Sequence, residues 1–372
     1  DSQGACGADP EERFLVAWPC DPGDCHIYFA QQRKALPTAV HAARASNRTL
    51  VLPPYTWYEG QARLLTNAFK QTAEGSRPLF LPFGDVHDLA TLRAGRGAHG
   101  GPQAIDLRDL VRSPVGGVGR LRLDLVVLSK GLPEHHARDG REDPRLAPGV
   151  LSRYPCLTRE GLAANLSRGG SGELWGLESV SVEVGELACG YAMLARAWAE
   201  ARRDLDAYGH RLESEVFHGR RVVALLGAGH KPHALATAPE AARAAAEVAF
   251  HPAVEAEARR FVDEVLRRLG PAGRFLAVHW RHGDFVQYGH ATPAEAVAAR
   301  AAAVRAERCE GCPVFLATNC EAADDLALLD AALGSVVRYE PPPGRPELSS
   351  PGMRLAVEQA VAARADVFVA NG

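Results

Sequence analysis

Apolar residues in this chain come in short runs set between longer amphipathic stretches. Arg13-Phe-Leu-Val-Ala-Trp18 predicts a strand. A loop of Gly, Pro and Cys follows, then a helix from about Tyr28 to Ala45. Leu50-Val51-Leu52 predicts a second strand, stopped by Pro53-Pro54, which can neither extend a ladder nor enter a helix interior. Strand–loop–helix–strand is the unit that builds parallel sheets. Residues 94–120, rich in Gly and Arg, read as a surface loop, and Leu123 to Leu128 as a strand. Residues 130–180 show little periodicity and read as loops facing an acceptor. A long helix is predicted over 185–217, then a strand over Arg221–Leu226.

The second half alternates more cleanly. A helix is predicted from Pro239 to Leu269, kinked or interrupted at Pro252. Strand Phe275–Trp280, helix Pro293–Glu307, strand Val314–Thr318, helix Glu321–Leu333, strand Val336–Tyr339, helix Gly352–Ala363 and strand Val367–Ala370 follow. The strands are almost wholly apolar, as strands buried on both faces are. The pattern predicts an α/β fold of two facing Rossmann-like domains, with a ligand in the cleft between them.

Composition narrows the setting. A net charge of −3 gives no electrostatic footprint for nucleic acid. No apolar run is long enough to span a membrane. The sequence opens on Asp1-Ser2-Gln3 with no basic or apolar leader. Its eight cysteines and two sequons, at Asn47 and Asn165, favour a secretory-pathway protein whose leader has been removed. Cys309-Glu-Gly-Cys312 lacks the second ligand pair of a structural zinc site, so a disulfide suits it better. Asp204-Leu-Asp206 imitates a metal-binding Asp-x-Asp motif, but its helical, charge-rich surroundings read as a solvated face.

The densest chemistry lies in Val278-His279-Trp280-Arg281-His282-Gly283-Asp284-Phe285. A buried strand there delivers His, Arg and Asp to its C-terminal end, where ligands sit in open α/β sheets. An Arg fork suits a diphosphate, since it stays charged and donates two parallel hydrogen bonds. By residue type alone the run reads equally well as a solvated loop with an Arg–Asp pair.

The run His279-x-Arg281-x-x-Asp284-Phe285 resembles the GDP-fucose protein O-fucosyltransferases, and its spacing is that of the class acting on thrombospondin-type repeats. Further resemblances follow in order: Asn47-Arg-Thr-Leu-Val-Leu-Pro-Pro54, Val248-Ala-Phe250, Val314-Phe-Leu-Ala-Thr318, Val337-Arg-Tyr-Glu-Pro341, and Glu358-Gln359 ahead of Val367-Phe-Val-Ala370. They cover both ends of the chain and are thin over residues 60–215. The resemblance implies a GT-B-type glycosyltransferase, with residues 1–240 as the acceptor-side domain and 241–372 as the GDP-fucose-binding domain. In that family the strand resembling Val367–Ala370 is followed by a short Ser/Thr-rich stretch that also grips the diphosphate, so a sequence reaching only Gly372 is read either as cut short or as missing part of the donor site.

By position in that family, Arg281 would hold the β-phosphate, with His279 and Asp284 orienting it. Thr318 would join the donor site. Glu358 would accept hydrogen bonds from guanine N1–H and the 2-amino group; read alone, it is an ordinary exposed helix carboxylate. Two alignments of the N-terminal loop conflict. One brings Phe29-Ala30-Gln31 to the donor, and the other makes Asp24 the catalytic base, though Asp24 also reads as a turn residue. The implied reaction is inverting transfer of fucose from GDP-β-L-fucose to a Ser or Thr hydroxyl of a thrombospondin-type or EGF-like domain, in the endoplasmic reticulum, with no metal or other cofactor. A fucosyltransferase acting on a glycan and a non-catalytic GDP-sugar-fold binding protein are the alternatives.

Overall fold

The computed structural model describes residues 12–18, 29–58, 78–94, 103–113, 119–128, 180–189, 205–226, 248–270, 273–282, 286, 289, 291–334 and 336–370. They form two compact units, one reaching to Ala249 and the other starting at Phe250.

In the first unit, β1 (Phe14–Trp18) leads through α1 (Phe29–Ala45) to β2 (Thr49–Leu52). β3 (Tyr55–Tyr58) and β4 (Pro78–Leu81) pair antiparallel as a separate ribbon. Two short helices follow, α2 (Phe83–Val86) and α3 (Leu89–Ala94). β5 (Ala104–Asp106) and α4 (Leu107–Arg112) come next, then β6 (Arg120–Leu128) and β7 (Ser181–Cys189). α5 (Leu205–Arg211) runs on as a π-helical turn to Phe217 and leads to β8 (Val222–Leu226). The six-stranded sheet has the order β5-β2-β1-β8-β6-β7 and is parallel throughout.

One face of this sheet buries Phe14, Val16, Trp18, Val51 and Ala224 against Leu107, Leu110 and Val111 of α4. Gly209 of α5 allows a close approach to α1, since a Cβ there would stand 2.3 Å from Ala45 Cβ. Arg48, fully buried, is held by Glu213 at 2.7 Å, donates to the carbonyls of Phe14 and Arg221, and lies 4.9 Å from the centre of the Phe217 ring. Glu213 also accepts from Arg13 at 2.7 Å, so one carboxylate ties the starts of β1 and β2 to the π turn. The Tyr55 hydroxyl lies 2.8 Å from His87 Nε2, and His87 Nδ1 lies 3.1 Å from the Ala249 carbonyl. A carbonyl can only accept, so Nδ1 carries the proton and Nε2 accepts from Tyr55. Burial, then the nearby Arg33 charge, pushes the imidazole down to about 3 and keeps it neutral.

Two sequence expectations need correction here. Residues 94–120 include β5 and α4, with Leu107 and Leu110 buried. Asp106 caps α4 by accepting from Arg108 N at 3.0 Å, a local signal masked by the surrounding Gly and Arg. The predicted helix over 185–217 begins too early. β7 reaches Cys189, consistent with the period-two spacing of Val180, Val182 and Val184, and the described helix starts at Leu205. The interruption expected at Pro252 is present: residues 248–251 are not helical and Pro252 opens a helix at its first position, with His251 as cap, while residues 239–247 lie outside the described residues.

The second unit begins with α6 (Pro252–Phe261), which continues through a π turn to Leu269. β9 (Leu276–Trp280), α7 (Ala294–Arg308), β10 (Val314–Thr318), α8 (Ala323–Leu333), β11 (Val336–Val337), α9 (Pro351–Ala362) and β12 (Val367–Ala370) follow. The sheet is parallel with the order β11-β10-β9-β12, so β9 is central and the order reverses beside it. Leu276, Val278 and Trp280 face α7 and α8 with Val314 and Leu316. On the opposite face Phe315 meets Phe261 of α6 edge-on, and α9 packs beside α6. Cys309 and Cys312 form a disulfide between α7 and β10, as the sequence suggests. No described helix is long and apolar enough to cross a membrane.

Candidate functional site

The site forms at the carboxyl end of β9, the position where open α/β sheets bind ligands because chain reversal leaves a crevice there. His279 pairs in register with Ala317 of β10 on one side and Ala370 of β12 on the other. Both neighbours are small, and the His279 side chain is exposed between them. It stands on the sheet face that α6 covers through Phe261. Partial burial, and then the Arg281 guanidinium, hold the imidazole below its usual range. His279 is therefore neutral at pH 7 and able both to donate and to accept a hydrogen bond.

Arg281 follows the last strand residue and is partly buried. The backbone on either side of it is fixed. Thr318 Oγ1 donates to the Trp280 carbonyl at 2.6 Å and accepts from Cys320 N at 3.1 Å. His282 N donates to Asn319 Oδ1 at 2.8 Å. The Trp280 indole, fully buried, donates to the Thr292 carbonyl at 3.0 Å. An Arg held between such anchors loses little entropy on gripping an anion.

Glu358 lies on α9, whose N-terminus is capped by Ser350 accepting from Met353 N at 3.3 Å. It is partly buried rather than an ordinary exposed helix carboxylate. Loss of water pushes its carboxyl up to about 7, and the charges of Arg354 and Arg338 offset only part of that. Such a carboxyl lacks the solvation its charged form needs, and N–H donors from a ligand would supply it. Arg354 in turn donates to the Tyr339 carbonyl, and the Tyr339 hydroxyl donates to the buried Glu257.

The structure thus places His279, Arg281 and Thr318 at the adjacent carboxyl ends of β9 and β10, and Glu358 on a helix of the same unit. The Thr318 hydroxyl is engaged with backbone groups of β9 and of the residues after β10. Phe29, Ala30 and Gln31 form the first turn of α1, and their side chains lie outside the described residues. Asp24, Asp284 and Asn165 also lie outside them, as do the side chains of the Asp204-Leu-Asp206 motif. Asn47 is exposed in a left-handed turn with φ of 50°, between α1 and β2. Sequence reasoning missed Asn319, Cys320 and Asp325 beside His282, because they come from another strand end and helix. It also missed Arg354, although its position one helical turn before Glu358 was legible.

Among curated proteins, none matches the chain in sequence. Among solved structures, the crystal structure of POFUT1 in complex with GDP is similar at a TM-score of 0.60, with 15% identity over 98% of this chain and 92% of that one. This likeness shows the fold, a GT-B-type α/β architecture. The fucosyltransferase NodZ from Bradyrhizobium is 15% identical over 96% of this chain and 87% of its own, at a TM-score of 0.40. Residues 177–372 match the GDP-fucose protein O-fucosyltransferase family, and this segment contains residues 250–372 of the second unit with His279, Arg281 and Glu358. The match covers more than half of the sequence, and the chain belongs to the GDP-fucose protein O-fucosyltransferase family.

Proposed function

We propose that this protein transfers fucose from GDP-β-L-fucose to a Ser or Thr hydroxyl of a folded, disulfide-rich domain, with inversion at the sugar carbon. The observation that carries the reading is the pairing, within one unit, of a backbone-anchored Arg281 with a carboxyl at Glu358 that burial has deprived of water. Arg281 would neutralise the charge that builds on the departing diphosphate, a stabilisation worth most where water is excluded. His279 would donate to a phosphate oxygen through its neutral imidazole. Glu358 would take the guanine N1–H and 2-amino protons on its two oxygens. Asp24 is the proposed base for the acceptor hydroxyl. This reading gives Arg281 the role that a metal plays in other glycosyltransferases, so transfer should proceed in the presence of a chelator.

The spacing His279-x-Arg281-x-x-Asp284 favours a thrombospondin-type repeat over an EGF-like domain as acceptor. The Cys309–Cys312 disulfide and the exposed sequon at Asn47 support a place in the endoplasmic reticulum lumen. The test is incubation of the protein and GDP-fucose with a folded thrombospondin repeat, a folded EGF-like domain and an N-glycan in parallel. Gain of one deoxyhexose on the thrombospondin repeat is expected. Transfer to the glycan alone, or no transfer despite tight GDP binding, would replace this reading with a glycan-directed enzyme or a binding protein.

A further inference from the structure

Beside Arg281 stands a cluster that the transfer reaction does not use. His282 follows β9, Cys320 follows β10, and Asp325 lies in the first turn of α8. One ligand atom from each, Nε2, Sγ and Oδ, lies within 4.8 Å of the others. We propose that these three side chains form a binding site for a thiophilic divalent cation of the Zn²⁺ type, with a water as fourth ligand.

The donor set suits that class. Imidazole, thiolate and carboxylate together match a borderline-soft cation, whereas Mg²⁺ and Ca²⁺ favour oxygen alone. Bonds of about 2.0–2.1 Å at tetrahedral angles put neighbouring N and O ligands about 3.3 Å apart. His282 Nε2 and Asp325 Oδ2 are 3.3 Å apart, so that edge is already at the required length. Cys320 needs to close by about 1 Å at most to reach a metal–sulfur bond of about 2.3 Å. It is a free thiol, whereas Cys309 and Cys312 are bonded to each other. Its thiol makes a long contact, 3.9 Å, to the Ala322 carbonyl, and a metal displaces that proton to solvent.

The support behind the ligands is rigid. Asn319 Oδ1 holds the His282 amide, and Thr318 Oγ1 holds the Cys320 amide. The His282 ring lies 4.5 Å from the Trp280 ring, which is itself buried and bonded to Thr292. Asp325 is the most exposed of the three at 37% of its side chain beside 16% for His282, so a cation would enter from the α8 side. The Arg281 charge and the positive end of α8 oppose a bare cation, so the thiolate is needed to hold it. A bound cation would clamp β9, β10 and α8 together one residue beyond Arg281.

The test uses the whole chain, freed of metal with a chelator and titrated with Co²⁺. One equivalent should bind with a sulfur-to-cobalt charge-transfer band in the near ultraviolet, and Zn²⁺ should displace it. Cys320→Ser should abolish the band. Asp325→Asn, on the partly exposed helix turn, should weaken Co²⁺ binding by about 10-fold or more, the scale that even outer partners of metal ligands carry. Absence of the band at saturating Co²⁺, or an undiminished band in Cys320→Ser, would overturn the site. If Cys320→Ser does not fold, unchanged Co²⁺ affinity in Asp325→Asn overturns it instead.

Discussion

The Thr318 hydroxyl donates to the Trp280 carbonyl across 2.6 Å, joining the ends of two neighbouring strands immediately before Arg281. The same oxygen accepts from Cys320 N, so one side chain satisfies a carbonyl of one chain segment and an amide of another. Replacing it with Val leaves both groups unpaired, at a cost of about 1–3 kcal/mol. Thr318→Val should lower kcat/KM by about 10-fold, and Thr318→Ser should restore most of it. Steady-state kinetics with GDP-fucose on all three proteins makes the comparison. Equal activity in the Val variant would show that the strand-end link does not position Arg281.

Arg281→Ala should reduce kcat by roughly 10²-fold or more, the scale of losing one donor to developing charge. Arg281→Lys should recover little, because an ammonium lacks the planar fork. Single-turnover transfer and calorimetric GDP binding together separate lost chemistry from lost affinity. Near-normal turnover in Arg281→Ala would remove Arg281 from the mechanism.

Glu358 makes the site pH-sensitive. Its carboxyl in the free protein is raised from 4.5 to about 7, so much of it is protonated near neutrality. Guanine donors favour the carboxylate, so GDP should bind about 10-fold more tightly at pH 8 than at pH 6. Glu358→Gln should flatten that profile while weakening binding. Stability runs the other way. The folded state holds the extra proton between pH 4.5 and 7, so stability present below 4.5 is lost as pH rises through 7. The Gln variant without ligand should therefore be more stable than the parent at pH 8, by about 1–3 kcal/mol, with little gain at pH 4.5. Thermal melts at the two pH values read this directly.

Glu213→Ala should destabilise the first unit by about 3–5 kcal/mol, because it strips the charge partner from Arg48, whose side chain is fully buried. Urea unfolding should show a lower midpoint. Replacing Arg48 and Glu213 together with Met and Leu should cost much less, since the uncompensated charge disappears. A double variant as weak as Glu213→Ala would assign the loss to packing instead.

Much of the second unit was legible because its strands alternate regularly with helices of ordinary length. The run from Val278 to Trp280 and the strand Val314–Thr318 needed only apolar continuity and flanking breakers. Arg281 was legible by position at a strand end. The burial of Glu358 was not. Its neighbours in sequence are those of an exposed helix residue, and the loss of water comes from packing that sequence spacing does not encode. β5 escaped for a different reason. Three residues carry no period, and its pairing partner Leu50–Leu52 lies some fifty positions earlier. β7 was lost between the loop expected up to residue 180 and the helix expected from 185, although Val180, Val182 and Val184 alternate as a strand does. The His282–Cys320–Asp325 cluster joins three segments through tertiary structure alone.

The strand order of the second unit also bears on how the protein is made. A ribosome delivers β9 well before β12, and domains form as their residues emerge. β10 can pair with β9 early, but the other edge of β9 stays open until residues 367–370 appear. The strand that carries His279 and leads to Arg281 thus gains its second neighbour only when β12 arrives. Until then its unpaired edge is exposed to other chains, and a folding helper in the compartment of synthesis would have its contact to make there.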